Sequence, residues 1–321
     1  MERFSLTNLD VTTFGEAMAM FIAEEPGPLH EVSRYYRELA GAEINVAIGL
    51  ARLGLKSGWA SKVGDDSFGK FVMERLKNEN VDTSCVVIDD KYPTGFQIKS
   101  KVLVGDPEVQ YFRKGSAASY MRKEEFKENF FLNSSHVHLT GIPLAISKYA
   151  KEFASCIVRS VLKKRIPISF DPNLRPALWN SEQEMISVVN DFAFKSNFVL
   201  PGLKEGRILT GYEHPRDIAS FYLDQGVEAV IVKLGEKGTF YKTSHEEGQV
   251  DSFPVERVVD TVGAGDGFSV GFISALFENL SIYESVRRGN AIGALAVQSY
   301  GDYNGYPTKQ QLDDFMAMYT S

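Results

Sequence analysis

Apolar residues along the chain fall into two alternating patterns. Short apolar runs at residues 57–63, 136–140, 166–171, 198–200 and 229–233 have the length of buried strands. Between them, apolar positions recur at helical spacing over 44–53, 68–78, 147–164, 181–194 and 216–225. In the first of these, Ile44, Ala47, Ile48 and Ala51 share one face, and Gly54 stands where a helix stop belongs. Strands alternating with helices predict an α/β fold: a doubly wound, mainly parallel sheet flanked by helices.

The stretch 96–104 breaks the alternation with a period of two. Phe96, Ile98, Val102 and Val104 lie on one side, and Gln97, Lys99 and Lys101 on the other. A turn at Gly105, Asp106 and Pro107 leads into 109–113. This predicts an antiparallel hairpin with one wet face, joined by 18–22 in a small β-sheet lid. The lid is expected over about 17–38 and 92–116 of a single domain spanning 1–321. Its apolar side chains, Phe96 and Ile98 among them, are expected to cover a site or to join a second copy in a homodimer.

Composition narrows the function classes. The 321 residues suffice for a large core, with 44% hydrophobic and 24% charged residues. The net charge of -7 disfavours a general nucleic-acid binder. Two cysteines, Cys85 and Cys156, without a CxxC pair fit a reducing cytoplasm rather than a disulfide scaffold. There is no HExxH, no GxxxxGK[ST] loop and no early GxGxxG, which argues against a zinc hydrolase, a P-loop ATPase and a Rossmann dehydrogenase. The N-terminal residues lack the basic head and apolar run of a signal peptide, and no apolar stretch reaches the roughly 18 residues of a membrane span. A cytoplasmic protein without a membrane partner is expected.

The sharpest chemical signal is DTVGAGDGF at 260–268, directly before a helical run at 268–277. Gly263, Ala264 and Gly265 let backbone N–H groups approach an anion at a helix N-terminus, where unpaired donors and the dipole favour negative charge. The turn reads as a cradle for a phosphoryl group, or else as an ordinary glycine-rich helix start. Asp266 sits within it. The helix end is expected to lower its pKa, and an ionised carboxylate can still accept a hydroxyl proton as an O–P bond forms through a loose transition state.

DTVGAGDGF resembles the C-terminal signature of the PfkB, or ribokinase-like, carbohydrate kinases. AGAEINVAIGLARLG at 40–54 is similar to their N-terminal signature, and GDDSFG at 64–69 follows in order. The resemblance implies a ribokinase-like fold and transfer of the ATP γ-phosphoryl to a sugar hydroxymethyl with Mg²⁺. It makes Asp266 the base and Gly263, Ala264 and Gly265 the anion hole. VKLGEKG at 232–238 resembles the nucleotide loop, so Lys233, Gly235 and Gly238 are expected beside ATP. Asn290 is expected near the adenine or ribose, or else as a satisfied polar group on a core helix. The family's Asn-x-x-Glu stretch reads here Gly202-Leu-Lys-Glu205. Glu205 then serves Mg²⁺ through water, or simply sits in the first turn of a helix.

Gly41 and Asn45 open the first signature helix and are expected to contact the sugar, with a helix cap as the alternative for Asn45. Tyr111 and Arg113, two apart in a lid strand, share a face. Arg175 follows the strand at 166–171, at the carboxyl end where such sheets bind ligands. Each arginine alone reads as a surface ion pair, but together they suit a carboxylate. YFRKGSAAS at 111–119 and DPNLRPALW at 171–179 resemble family members that act on keto-deoxy sugar acids, and GDYNGYP at 301–307 resembles their C-terminal loop, with Asp302 as a hydroxyl contact or a turn residue. The resemblance therefore implies phosphorylation of 2-dehydro-3-deoxy-D-gluconate at its terminal hydroxymethyl. A fructokinase or a 5-dehydro-2-deoxygluconokinase of the same family is the alternative. A sensor on a kinase fold is disfavoured by the intact turn with Asp266.

Overall fold

A computed structural model describes residues 8–102 and 107–319. The strands, in chain order, are β1 (Leu9–Phe14), β2 (Met18–Pro26), β3 (Tyr35–Ala40), β4 (Ser57–Gly64), β5 (Asp82–Asp89), β6 (Phe96–Lys101), β7 (Val109–Phe112), β8 (Ser134–Thr140), β9 (Ile168–Asp171), β10 (Phe198–Val199), β11 (Ala229–Lys233), β12 (Thr239–Thr243) and β13 (Glu247–Val250).

Among the described residues, nine strands form the main sheet in the order β13-β12-β11-β10-β9-β8-β1-β4-β5. Pairing is parallel from β11 through to β5, and β12 and β13 add an antiparallel edge. The alternation of apolar strands and amphipathic helices thus gives the expected sheet. β4, between β1 and edge strand β5, is buried along its whole length, as a parallel strand covered by helices on both faces must be. One apolar core packs the helices Ala42–Arg52, Ser67–Asn78, Ala264–Phe277, Ile282–Ala296 and Lys309–Ala317 against one face, through residues such as Val46, Val72, Val270, Ile292 and Leu312. A second packs Lys148–Lys163, Glu182–Ala193, Leu203–Thr210 and Pro215–Leu223 against the other, through Phe153, Val189, Leu209 and Ile218.

The chain order reverses between β1 and β8, whose neighbours run outward in opposite directions. A crevice opens at the carboxyl ends of strands flanking such a switch point. Glu16, Ile142, Asp171 and Lys233 lie at or just beyond the ends of β1, β8, β9 and β11, and all line one cavity.

The remaining strands form a separate sheet in the order β3-β2-β6-β7, with β6 and β7 antiparallel as expected. The hairpin's tip, including Val104, Gly105 and Asp106, lies outside the described residues. The wet face assigned to β6 needs correction. Gln97 and Lys99 are 5% and 3% exposed and roof the cavity. Phe96 turns the other way, stacking on Phe112 at 4.5 Å between ring centroids and meeting Phe21 and Phe68. A polar face can be dry when it covers a polar site.

Candidate active site

The cavity under the lid encloses about 630 Å³. Its floor is the glycine-rich turn at 261–266. Gly263 has φ 81°, a conformation that a residue with a Cβ adopts only under strain. A Cβ there would also lie 1.8 Å from the Asp302 carbonyl oxygen. The Gly263 carbonyl accepts a 2.6 Å hydrogen bond from the Tyr306 hydroxyl, and the helix Ala264–Phe277 begins at once. The Ala264 N–H donates to the Thr261 carbonyl at 3.4 Å, and the first N–H groups of any helix lack an intrahelical carbonyl partner, which suits them to an anion.

Asp266 lies in this first turn and accepts from the Asn45 side-chain amide at 2.8 Å and from Asn173 at 3.4 Å. The expectation of a lowered pKa is not met. Burial, together with the nearby Asp171, Asp302 and Glu43, pushes Asp266 up to about 8. Desolvation and like charge outweigh the helix end here. Asn45 is no helix cap: Gly41 holds that position, with φ 149° and a hypothetical Cβ only 2.5 Å from the Glu16 carbonyl oxygen.

Opposite Asp266, Lys233 reaches Asp171 at 2.6 Å. Burial alone would lower the Lys233 pKa, but Asp171 and Glu205 raise it. The Glu205 carboxylate accepts from the backbone N–H of Gly202 and of Leu174, both at 2.7 Å. It therefore caps its own helix and anchors the loop after β9. Burial and Asp171 raise its pKa.

Asp302 is buried on the far wall. Burial lifts it to about 6, with Asp260 adding to the rise and Lys99, Asn45 and Arg175 opposing it. Glu43 accepts from the Thr140 hydroxyl, and burial carries it to about 7. On the lid side, Arg113 donates to buried Glu16 at 2.6 Å, and Ser116 donates to the same carboxylate. The guanidinium also lies 5.9 Å from the Tyr111 ring. Arg175 is exposed and donates to the Leu174 carbonyl at 2.9 Å.

A sequence profile of the pfkB family carbohydrate kinases matches residues 8–309. The chain belongs to the pfkB family of carbohydrate kinases. It is 49% identical to the 2-dehydro-3-deoxygluconokinase of Bacillus subtilis (strain 168) over 96% of each chain. Its fold is similar to that of a PfkB protein from Polaromonas sp. JS666, with TM-score 0.89 and 46% identity over 95% of this chain and 99% of that one. It is also similar to a putative ribokinase II from E. coli in complex with ATP and Mg²⁺, with TM-score 0.90 and 27% identity over 97% and 99%. This pfkB kinase is a phosphotransferase acting on a sugar, with ATP as the family's donor.

In the kinase, Gly41, Asn45, Tyr111, Arg113, Arg175, Asp302, Lys233, Gly263, Gly265, Asp266 and Glu205 all line the one cavity. Gly235 and Gly238 lie beyond Lys233 in a tight turn, both at positive φ. Gly238 packs so close to Val250 that a Cβ would lie 2.0 Å from its carbonyl oxygen. Asn290 sits on the helix Ile282–Ala296. It is buried, its side-chain oxygen accepts from Thr239, and its amide hydrogens go to the Val250 and Asp251 carbonyls. It shapes the loop after β13 from inside the fold and does not line the cavity.

The sequence reading missed Glu16, Glu43, Lys99, Asp171 and Asn173 as cavity residues. Asp171 had a signal, since a carboxylate closing an apolar strand at its carboxyl end is costly unless used. Among the described residues no group of three or more His, Cys, Asp or Glu side chains could hold a metal ion. No helix among them is long and apolar enough to cross a membrane.

Proposed function

We infer that this chain is an ATP-dependent kinase that phosphorylates the terminal hydroxymethyl of 2-dehydro-3-deoxy-D-gluconate to give the 6-phosphate. The observation that carries the reading is the convergence of the Asp266 turn with Arg113 and Arg175 in one cavity, in a chain 49% identical to a relative named for that reaction. Arg175 is exposed and forms no ion pair among the described residues, which suits it to the acid end of the substrate. Arg113 already shares its charge with Glu16 and orients that end from the lid. Asn45, Gly41, Tyr111 and Asp302 line the space for the sugar body.

In the reaction, the sugar hydroxyl oxygen bonds to the γ-phosphorus. The bond from phosphorus to the bridging oxygen breaks, and ADP leaves with that electron pair. The hydroxyl proton passes to Asp266. A carboxyl raised to about 8 is a better-matched base near neutral pH than an ordinary aspartate. The N–H groups at Gly263, Ala264 and Gly265 meet the charge on the migrating phosphoryl. ATP lies towards Lys233, Gly235 and Gly238. Glu205 would approach an Mg²⁺ ion carried on the nucleotide phosphates only through water, because both its oxygens already accept backbone N–H bonds; such an ion would supply charge neutralisation there.

We read residues 1–321 as one kinase domain with the small sheet as its lid, residing in the cytoplasm. A homodimer joined at the lid belongs to the same reading, supported by the exposure of Tyr111 and Phe112 on edge strand β7. The test is a screen of sugar acids and neutral sugars by ADP release with Mg·ATP. The keto-deoxy acid is expected to give the highest kcat/KM; fructose or ribose turning over far better overturns the substrate.

A further inference from the structure

Lys99 has no role in the chemistry above, yet it is among the most buried charges in the molecule. It rises from lid strand β6, is 3% exposed, and places its ammonium 2.5 Å from Asp260 and 3.9 Å from Asp302. Asp260 is the first residue of the phosphate turn. Its other carboxylate oxygen accepts the backbone N–H of Val262 at 3.1 Å. The ammonium therefore grips the root of the turn from the lid. Lys99 lines both the main cavity and a second one of about 310 Å³ behind the lid, which Asp260 also lines. Breaking a buried pair by removing one partner is costly, because it leaves an uncompensated buried charge.

We propose that Lys99 is a positioning residue that ties the lid to the phosphate turn, holding Asp260 in place and supplying the counter-charge for Asp302. Asp302 faces Lys99 from β6, Asp260 from the start of the turn, Asp266 from the helix that follows, Asn45 from the first signature helix, Arg175 from the loop after β9, and Tyr306. Lys99 is the cation of that set carried by the lid, so lid position and the charge on the sugar-facing wall are linked. A lid lifted away from the turn takes its ammonium with it and leaves Asp260 and Asp302 facing each other. The inference rests on the kinase reading of the cavity but not on the identity of the sugar.

The test uses steady-state kinetics of the full chain with whichever sugar the wild-type enzyme turns over, so a wrong substrate assignment and a wrong role for Lys99 remain distinguishable. In Lys99→Met, kcat is expected to fall and the sugar KM to rise, each by about tenfold or more, with the ATP KM changed by less than about threefold. In Lys99→Ala, which leaves room where the stem and ammonium stood, methylammonium, a small donor, is expected to restore part of the loss; tetramethylammonium, which donates no hydrogen bond, is not. Because Lys99→Met leaves Asp260 unpaired, Lys99→Met/Asp260→Asn serves if the single variant does not fold. It removes the lone buried carboxylate and is expected to keep the raised sugar KM, since Asp302 still lacks its cation. Wild-type kcat and sugar KM in the double variant, an unaffected Lys99→Met, or equal restoration by both ammonium ions each overturns the proposal.

Discussion

Asp266→Asn separates what the fold tolerates from what the reaction needs. The carboxyl is lifted from 3.8 to about 8 by burial and by neighbouring carboxylates. Its pKa is raised on folding, so its ionised form is disfavoured in the native state. The stabilisation relative to the unfolded chain is full below the unfolded pKa and is lost as pH rises towards 8. The loss is about 1.4 kcal/mol for each pH unit across that window, or up to about 4 kcal/mol near neutrality. Water reaches the cavity wall, which makes this an upper bound. Asn has no such dependence, but it turns one acceptor towards the Asn45 and Asn173 amides into a donor, at a cost of about 1 kcal/mol. Asp266→Asn is therefore expected to unfold up to about 3 kcal/mol harder than the wild type at pH 7, and within about 1 kcal/mol of it at pH 5. Urea unfolding at the two pH values measures both gaps. Turnover should meanwhile fall by about a hundredfold or more, with ATP binding retained. A stability gap that stays constant or narrows towards pH 7 refutes the electrostatic reasoning, and near-normal turnover removes Asp266 as the base.

The same carboxyl predicts that kcat/KM for the sugar rises with pH through about 8 in the free enzyme, because the deprotonated form does the work; an acid limb lying below about pH 5 contradicts this. Arg175→Ala should raise KM for the sugar acid by about tenfold or more while sparing any residual neutral-sugar activity, read by the same ADP-release assay. Arg113→Ala should lower stability by about 3 kcal/mol in urea unfolding, because it strands Glu16 without its partner; Arg113→Ala/Glu16→Gln should recover most of that loss. Gly263→Ala forces a Cβ into the Asp302 carbonyl at a positive φ, and should abolish turnover even where circular dichroism shows a folded chain.

Local patterns carried much of the fold. The apolar stripe from Ile44 to Ala51 became the helix Ala42–Arg52, stopping before Gly54 at φ 91°. The run at 260–268 became the turn and helix start it resembled. Buried charge was harder to read. Lys99 and Gln97 alternate with apolar neighbours as residues on a wet face do, and nothing local tells water from a polar cavity. Lys99 meets Asp260 across 161 residues, and Arg113 meets Glu16 across 97. Such pairs exist only once the lid has folded over the sheet. The pKa of Asp266 failed for the same reason: the helix end is visible in the sequence, whereas Asp171 and Glu43 arrive beside it from other strands and helices. Asn290 shows the converse, a polar residue on an apolar helix whose partners, Thr239 and the loop after β13, were not evident from its neighbours.

The Tyr303–Tyr306 segment clasps both halves of the site: Arg52 from the first signature helix donates to the carbonyls of Tyr303 and Tyr306, and the Tyr306 hydroxyl holds Gly263. Asn45 and Asp266, which touch in the finished enzyme, stand 221 positions apart. A nascent chain still lacking Tyr303–Tyr306 cannot hold the Gly263 turn in this way, however well its early strands have paired. Synthesis must pass Tyr306 before the cavity is complete, and maturation waits on contacts such as Asn45 with Asp266 and Arg52 with Tyr306, which close loops of 221 and 254 residues.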